Sequence, residues 1–228
     1  MDCIILNIET GGDNCSVALS KGNEVIALKE SDGRDHSKYL SVFIDDIIKD
    51  LGLLYGDIDA VAVSKGPGSY TGLRIGIATA KGICYGSDKP LIAINSLLSL
   101  ASVCRNTLTP DFSQFIYCPL IDARRLEVYT AMFDMSLRQV SDTEAMIISE
   151  NSFAEILSTQ KIYFFGSGME KCKEIIKNPN AIFVEVESSA SGLVHPAVEA
   201  FNNKQFEDIA YFEPFYLKNF VVTVKKNQ

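Results

Sequence analysis

The sequence predicts an α/β fold with two lobes, each a mixed sheet with helices. Three strand-like runs open the chain and are followed by alternating helical and strand-like segments, and this order partly restarts after Asn106. The chain has 228 residues, 47% of them hydrophobic, which is enough for a core in each lobe because domains usually span roughly 100 to 150 residues. We place the N-terminal lobe at residues 1–104 and the C-terminal lobe at residues 105–228, with the final segment free to pack back on the first lobe.

The first lobe is predicted to begin with a three-stranded meander. An apolar run at 4–9 precedes turn-forming residues, and two further strand-like runs flank a turn at Gly22. Apolar residues at helical spacing between Asp35, which suits the N-cap, and Gly52, which suits the stop, predict one amphipathic helix. The rest of the lobe is predicted to alternate, with strands at 58–64 and 90–94 and helices at 73–86 and 95–104.

The second lobe follows the stretch TLTPDFSQ, which has the composition of a linker. A second meander and a second alternation are predicted there, with strands at 115–122, 126–133, 137–140, 161–165 and 181–186 and helices at 151–158, 169–177 and 193–201. A meander followed by helix and strand alternation, occurring twice, is the element order of the actin-like ATPase and sugar-kinase superfamily. This likeness concerns the fold and carries no function by itself.

Composition narrows the class of protein. The net charge of −8 argues against a chain that grips nucleic acid alone, because phosphate contacts need clustered Lys and Arg. No apolar run approaches the roughly 18 residues of a membrane span, and the N-terminus carries an acid where a secretory signal is basic. Six cysteines without a C-x-x-C pair are expected to be buried thiols. We therefore expect a cytoplasmic protein that does not contact a membrane.

The most informative segment is SKGPGSYTGLRIG, residues 64–76. Its first glycines permit a tight turn that precedes a helix N-terminus, but the segment lacks the spacing and the lysine of a phosphate-binding P-loop. In an actin-like fold, the hairpin after the first strand faces the nucleotide phosphates. The residues expected near a nucleotide, if one binds, are Glu9, Thr10, Gly11, Gly66 and Gly68. An ordinary hairpin and an ordinary turn explain the same residues.

The helix after this turn carries small residues on one face. Gly72, Gly76 and Ala80 recur every four residues, and Gly76 and Gly82 together cost about 2 kcal/mol of helix propensity. Close approach of another element, either within the same domain or from a second protein, would compensate this cost.

Candidate catalytic groups are sparse. The two histidines, His36 and His195, lie far apart in sequence, and neither an H-E-x-x-H motif nor a G-x-S-x-G elbow occurs. No hydrolytic triad can be composed from these residues. The turn containing Arg124 and Arg125 suits contact with phosphate or with an acidic partner, and equally suits an ordinary exposed hairpin.

Segments in the same order along the chain resemble the bacterial TsaB (YeaZ) family. They are NIETGGDNCSVAL, HSKYL, SKGPGSYTGLRIGIATAKG, DARRLEVY and PFYLK, of which the third is the most specific. The resemblance implies the two-lobed actin-like fold and a non-catalytic subunit that binds and supports TsaD. TsaE joins that complex, which places threonylcarbamoyl on the adenosine beside the anticodon of tRNAs reading ANN codons. An older label, glycoprotease, derives from the catalytic paralogue.

The resemblance also implies partners and a contact surface. The first two long helices form the contact with TsaD, and they pair two copies of the chain when TsaD is absent; tRNA is reached only through the complex. No intrinsic cofactor or metal is expected, and ATP or ADP is expected only in the complex. The contact residues implied are His36, Tyr39, Leu40, Phe43, Ile47, Gly72, Leu73, Gly76, Ile77 and Ala80.

Two other functions remain open at the level of sequence. A nucleotide-hydrolysing ATPase or kinase of the same fold needs phosphate loops in both lobes, and a metal-dependent glycoprotease needs a metal site. Metal-bearing paralogues carry a second histidine four residues after the position of His36, where this sequence has Leu40, and many family members have Asp where this one has Glu9.

Overall fold

The computed structural model describes residues 2–31, 33, 35–108 and 114–218, and these ranges form two five-stranded mixed sheets with helices. The predicted α/β architecture with two sheets is confirmed. The helices are α1 (His36–Asp50), α2 (Tyr70–Ser87), α3 (Ser96–Thr107), α4 (Ala154–Leu157), α5 (Met169–Ile175) and α6 (Val194–Asn202). Short 3-10 turns lie at Tyr55–Asp57 and Ala190–Leu193.

The first sheet has the predicted meander at one side and parallel strands at the other. Its strands are β1 (Ile4–Glu9), β2 (Ser16–Lys21), β3 (Glu24–Glu30), β4 (Ala60–Gly66) and β5 (Leu91–Asn95), in the order β3-β2-β1-β4-β5. The strands β1, β2 and β3 pair antiparallel, whereas β4 is parallel to both β1 and β5. Parallel neighbours require helical crossovers, and α1 and α2 supply them.

Alternating residues of β1 place the first sheet between two layers of helix. Leu6 and Ile8 belong to the apolar cluster that contains α1 and α2, whereas Ile5 belongs to the cluster on the opposite face, with Ala197 of α6. This alternation follows from the two-residue period of a strand. The sheet is therefore covered on both faces, which explains its almost uninterrupted apolar sequence.

The second sheet repeats the meander and the parallel strands. Its strands are β6 (Phe115–Asp122), β7 (Glu127–Thr130), β8 (Glu144–Ile147), β9 (Lys161–Phe165) and β10 (Ala181–Phe183), in the order β10-β9-β6-β7-β8. The strand predicted at 137–140 is wrong, because the Asp134 carboxylate accepts hydrogen bonds from the backbone N–H groups of Ser136 and Arg138 and closes a turn there. The third strand of the meander is β8 instead.

The predicted boundary between residues 104 and 105 falls inside α3, which packs between the two sheets. Leu97, Leu100 and Cys104 of this helix belong to the apolar core of the second sheet, together with Phe115. In the other direction, α6 comes late in the chain and packs on the first sheet. The two lobes therefore share structural elements, and the predicted linker TLTPDFSQ lies mostly outside the described residues.

All six cysteines are buried and free. Burial raises the pKa of Cys104 and of Cys118 to about 12, so these thiols stay protonated and pack as small apolar groups. None of the helices in the described ranges combines the length and the apolar character that a membrane span requires.

The helix α2 approaches the turn after β1 very closely. A Cβ atom on Gly72 would overlap the carbonyl oxygen of Thr10, and one on Gly76 would overlap the Thr10 hydroxyl oxygen. Thr10 is fully buried and has little room to move. The two glycines are therefore explained by packing within the chain, and their cost in helix propensity is offset by it.

Two glycines of α2 provide a matched test of this packing. We expect Gly76→Ala to lower the free energy of unfolding by about 1–3 kcal/mol, because the added methyl group overpacks a site that cannot yield. Gly82→Ala should raise the free energy by up to about 1 kcal/mol, because a Cβ there meets nothing within 4 Å and alanine is the better helix former. Urea unfolding measures both. Equal stabilisation by the two substitutions would contradict the close contact with Thr10.

Candidate functional site

The structure brings the five residues expected near a nucleotide together, at the ends of β1 and β4. The group, called here the glycine corner, consists of Glu9, Thr10, Gly11, Gly66 and Gly68. The Glu9 carboxylate is 1% exposed and its Oε1 accepts hydrogen bonds from the Gly11 N–H and the Ser64 hydroxyl, both at 2.7 Å. Burial raises the pKa of Glu9 above its usual value. This carboxyl group is thus engaged by its own chain.

The glycine corner is closed by two further contacts. The Ser69 N–H donates to the Gly11 carbonyl at 2.8 Å, which draws the glycine turn onto the β1–β2 hairpin. Gly66 has φ of +109°, and a Cβ atom there would lie 2.7 Å from the Phe215 carbonyl oxygen. The backbone of Phe215 therefore covers the corner at Gly66. A role of the corner in nucleotide binding stays a prediction, and none of its residues lines the cleft between the lobes.

The contact surface that the sequence resemblance implied stays a prediction, and most of its residues are buried within the chain. Tyr39 and Phe43 are half-buried, with their rings stacked 5.4 Å apart. The others are buried in the chain itself: His36, Leu40, Ile47, Gly72, Leu73, Gly76, Ile77 and Ala80. The sequence left open whether the neighbour of the small-residue face lies in the same domain or in a second protein, and the neighbour of its two glycines is Thr10 of the same chain. These buried residues form the inner face of α2 and the core beneath α1.

A second row of small residues lies on the opposite side of α2. Ala78, Gly82 and Gly86 are exposed and recur every four residues, so they share one face, called here the outer face of α2. A Cβ atom on Gly82 or Gly86 would meet nothing within 4 Å. The sequence contains the same four-residue spacing here as in the inner row, and burial alone distinguishes the two rows.

Exposed apolar side chains adjoin the outer face. Tyr85 of α2 is 84% exposed, and Leu54 is 73% exposed at the start of the 3-10 turn Tyr55–Asp57, which contacts α2. Large apolar groups in such positions are typical of surfaces that another protein covers. The outer face and these side chains form one candidate docking surface.

The cleft between the lobes is lined by carboxylates. It has a volume of about 690 Å³, and the described residues that line it include no lysine or arginine. Its acidic lining residues are Asp13, Glu30, Glu170, Glu185 and Glu187. Like charges repel a polyphosphate, so this lining disfavours a nucleotide. Within the described ranges, no three His, Cys, Asp or Glu side chains are grouped so that they could hold a metal ion.

Comparison with known proteins places the chain among proteins of tRNA modification. Residues 28–225 match the family model described as TsaD: tRNA N6-adenosine threonylcarbamoyltransferase. The tRNA threonylcarbamoyladenosine biosynthesis protein TsaB of Escherichia coli (strain K12) is 29% identical, over 97% of each chain. TsaB of Bacillus subtilis (strain 168) is also 29% identical, over 94% of this chain and 93% of its own. The tRNA N6-adenosine threonylcarbamoyltransferase of Ehrlichia chaffeensis is 32% identical over 64% of this chain and 49% of its own.

Solved structures confirm the predicted actin-like fold. YeaZ from Pseudomonas aeruginosa superimposes with a TM-score of 0.78 at 22% identity, covering 94% of this chain and all of its own. A second structure is described as a protein with similarity to peptidase YEAZ from Pseudomonas aeruginosa. It superimposes with a TM-score of 0.83 at 21% identity, covering 95% of this chain and 100% of its own. The inorganic polyphosphate/ATP-glucomannokinase from Arthrobacter superimposes with a TM-score of 0.51 at 10% identity, over 89% of this chain and all of its own.

The buried Glu9 predicts a pH dependence of stability. Below about pH 4.3 the carboxyl group is protonated in both the folded and the unfolded chain. As the pH rises further, the unfolded chain ionises while the folded chain holds its proton, so the free energy of unfolding falls until the raised folded pKa is passed. We expect Glu9→Gln to abolish this fall, and its stability relative to the original protein to increase with pH. Parallel pH profiles of the two proteins would contradict this explanation.

The acidic cleft predicts poor binding of nucleotides by the isolated chain. We expect isothermal titration calorimetry with Mg-ATP to give no binding in the micromolar range, because phosphates entering the cleft meet five carboxylates and no lysine or arginine among the described lining residues. Micromolar affinity accompanied by ATP turnover would contradict this prediction and favour an ATPase or kinase.

Proposed function

We propose that this chain, which belongs to the family described as TsaD: tRNA N6-adenosine threonylcarbamoyltransferase, is a non-catalytic subunit that docks on TsaD and supports it. Its role lies in tRNA threonylcarbamoyladenosine biosynthesis, as for its TsaB relatives. The modification is formed next to the anticodon of tRNAs reading ANN codons, and we place the assembly in the cytoplasm. The relatives that match this chain over nearly its whole length are TsaB proteins, whereas it spans about half of the transferase from Ehrlichia chaffeensis.

The outer face of α2 carries this proposal. An interior glycine destabilises a helix by about 1 kcal/mol relative to alanine. For Gly72 and Gly76, close packing against Thr10 offsets this cost. Gly82 and Gly86 have no such neighbour among the described residues. Small residues in a row let the backbone of another helix come close. A helix of TsaD packed on this face would offset the cost in helix propensity of Gly82 and Gly86, as the contact with Thr10 offsets that of Gly72 and Gly76.

The glycine corner and the cleft support a non-catalytic role. Glu9 is held by Ser64 and Gly11, so its carboxylate is not presented to a ligand. His36 is buried at the start of α1, beneath α2. The acidic cleft is unfavourable for phosphate. Chemistry on the tRNA is therefore assigned to TsaD, and ATP or ADP enters only with the complex.

The remaining partners follow from the same surface. The outer face of α2 is available to a second copy of the chain when TsaD is absent, which accounts for a homodimer as an alternative state. We place TsaE elsewhere on the assembled complex, because it joins TsaD and this chain rather than replacing either.

A charge placed on the outer face should abolish docking. We expect Ala78→Arg to weaken association with TsaD of the same organism by at least about a hundredfold, because a buried charge without a partner costs about 3–5 kcal/mol. Co-elution on gel filtration and calorimetry measure the loss. The free energy of unfolding of the isolated variant should stay unchanged, since Ala78 is exposed.

Ala154→Arg is the matched control, because Ala154 is likewise an exposed helical alanine but lies in the second lobe. It should bind TsaD as the original protein does. Undiminished binding by Ala78→Arg would exclude the outer face as the docking surface. Gly76→Arg would not test docking, because the substitution disrupts the contact with Thr10 and hence the fold.

A further inference from the structure

Basic and aromatic side chains lie on both lobes along the segment that joins them, and all except the half-buried Tyr70 are exposed. We call this group the ridge, and its members are Tyr70, Arg74, Tyr216, Lys218, Arg124 and Arg125. The proposed function does not use these residues, and the chain as a whole is acidic. The ridge carries four basic side chains, Arg74, Arg124, Arg125 and Lys218.

The first-lobe end of the ridge is an ordered stack. The Arg74 guanidinium carbon lies 4.5 Å from the Tyr70 ring centroid, and its Nε donates to the Tyr216 hydroxyl at 3.0 Å. The two tyrosine rings lie 5.0 Å apart. Planar guanidinium and phenol groups held in this way, on an exposed helix start, present flat surfaces on which an unpaired base can stack.

The C-terminal segment carries the ridge onto the second lobe. The Phe215 N–H donates to the Lys65 carbonyl at 2.7 Å and fixes the segment on β4. Two residues after Tyr216, Lys218 pairs with Glu127 of β7 and lies 5.9 Å from the Tyr129 ring centroid. This contact brings the segment to the hairpin between β6 and β7.

The second-lobe end of the ridge is the turn of that hairpin. Arg124 has φ of +71° and Arg125 has φ of +53°, a left-handed backbone that favours glycine or asparagine over arginine. Both arginine side chains are exposed, and within the described ranges neither makes an ion pair. Both guanidinium groups are therefore accessible to a polyanion.

Neighbouring acids neutralise Lys218 but form no ion pair with Arg124 or Arg125 within the described ranges. Glu127 is occupied by Lys218, and Asp122 by Lys171 at 2.6 Å. Glu213 is the remaining acid near Arg74. The carboxylates of the cleft would keep a polyanion out of the cleft, so phosphates are directed to the ridge alone.

We propose that the ridge is an RNA-contact surface, on which Arg124 and Arg125 meet the sugar-phosphate backbone and the stack of Tyr70, Arg74 and Tyr216 receives an unpaired base. Stacking on aromatic rings and guanidinium planes is how proteins bind unpaired RNA. The proposal rests on the proposed function, because it gives this subunit a share of the tRNA bound by the whole assembly. With a net charge of −8 the isolated chain binds RNA weakly, and the ridge acts within the complex.

The test uses the complex of this chain with TsaD and TsaE and an unmodified transcript of a tRNA reading ANN codons. Fluorescence anisotropy gives its affinity at several salt concentrations. We expect the double variant Arg124→Glu with Arg125→Glu to bind about tenfold or more weakly, with a salt dependence shallower by about one to two phosphate contacts. Tyr216→Ala should bind at least about fivefold more weakly with an unchanged salt dependence, as loss of one stacked base predicts.

A double variant with the same charge change serves as the control. Arg138→Glu with Lys177→Glu alters two exposed basic residues at the opposite end of the second sheet and should leave tRNA affinity unchanged. If the ridge variant binds tRNA as this control does, the RNA-contact proposal is wrong.

The experiment separates this proposal from the proposed function. If the original chain forms no complex with TsaD, the proposed function fails first. If the complex forms and the ridge double variant no longer co-elutes with TsaD, the ridge is a protein contact and the RNA proposal is overturned. Retained co-elution together with weakened tRNA binding supports both.

Discussion

The contact between α2 and the turn after β1 governs the rest of this molecule. Gly72 and Gly76 let the helix lie directly on Thr10, closer than any residue with a side chain permits. This contact holds the glycine turn against Gly11 and closes the glycine corner around the buried Glu9. It also determines which face of α2 is exposed to solvent. The corner is closed by hydrogen bonds within the chain, from Gly11 and Ser64 to Glu9 and from Ser69 to Gly11.

The surface of the protein has regions of different chemistry around this contact. The outer face of α2 offers small residues and exposed apolar side chains to a partner helix. The cleft between the lobes is acidic, and the ridge is basic and aromatic. In this account a protein partner, an excluded polyanion and a bound RNA each have a distinct place. The segment from Ala210 to Lys218 links them, because it contacts α2 through Lys81 and reaches the second lobe at Lys218.

Much of the fold could be predicted from the sequence, because apolar residues recur with a different period in strands than in helices. The strand predicted at 137–140 does not form, because the hydrogen bonds of Asp134 to the backbone close a turn there, against a short apolar pattern. The site was harder to predict. The row of Gly72, Gly76 and Ala80 and the row of Ala78, Gly82 and Gly86 have the same spacing, and only the position of Thr10 decides which row is buried. The ridge joins residues more than 90 positions apart in sequence, between Arg124 and Lys218, so no local motif indicates it.

The central claim is that α2 has an inner face that holds the fold and an outer face that receives TsaD. Hydrogen exchange of the backbone amides, followed by mass spectrometry with and without TsaD, tests it directly. The account predicts that the segment 78–87 gains protection on complex formation, while the strands of the second sheet exchange as before. Unchanged exchange in 78–87, with new protection at another surface, would contradict it.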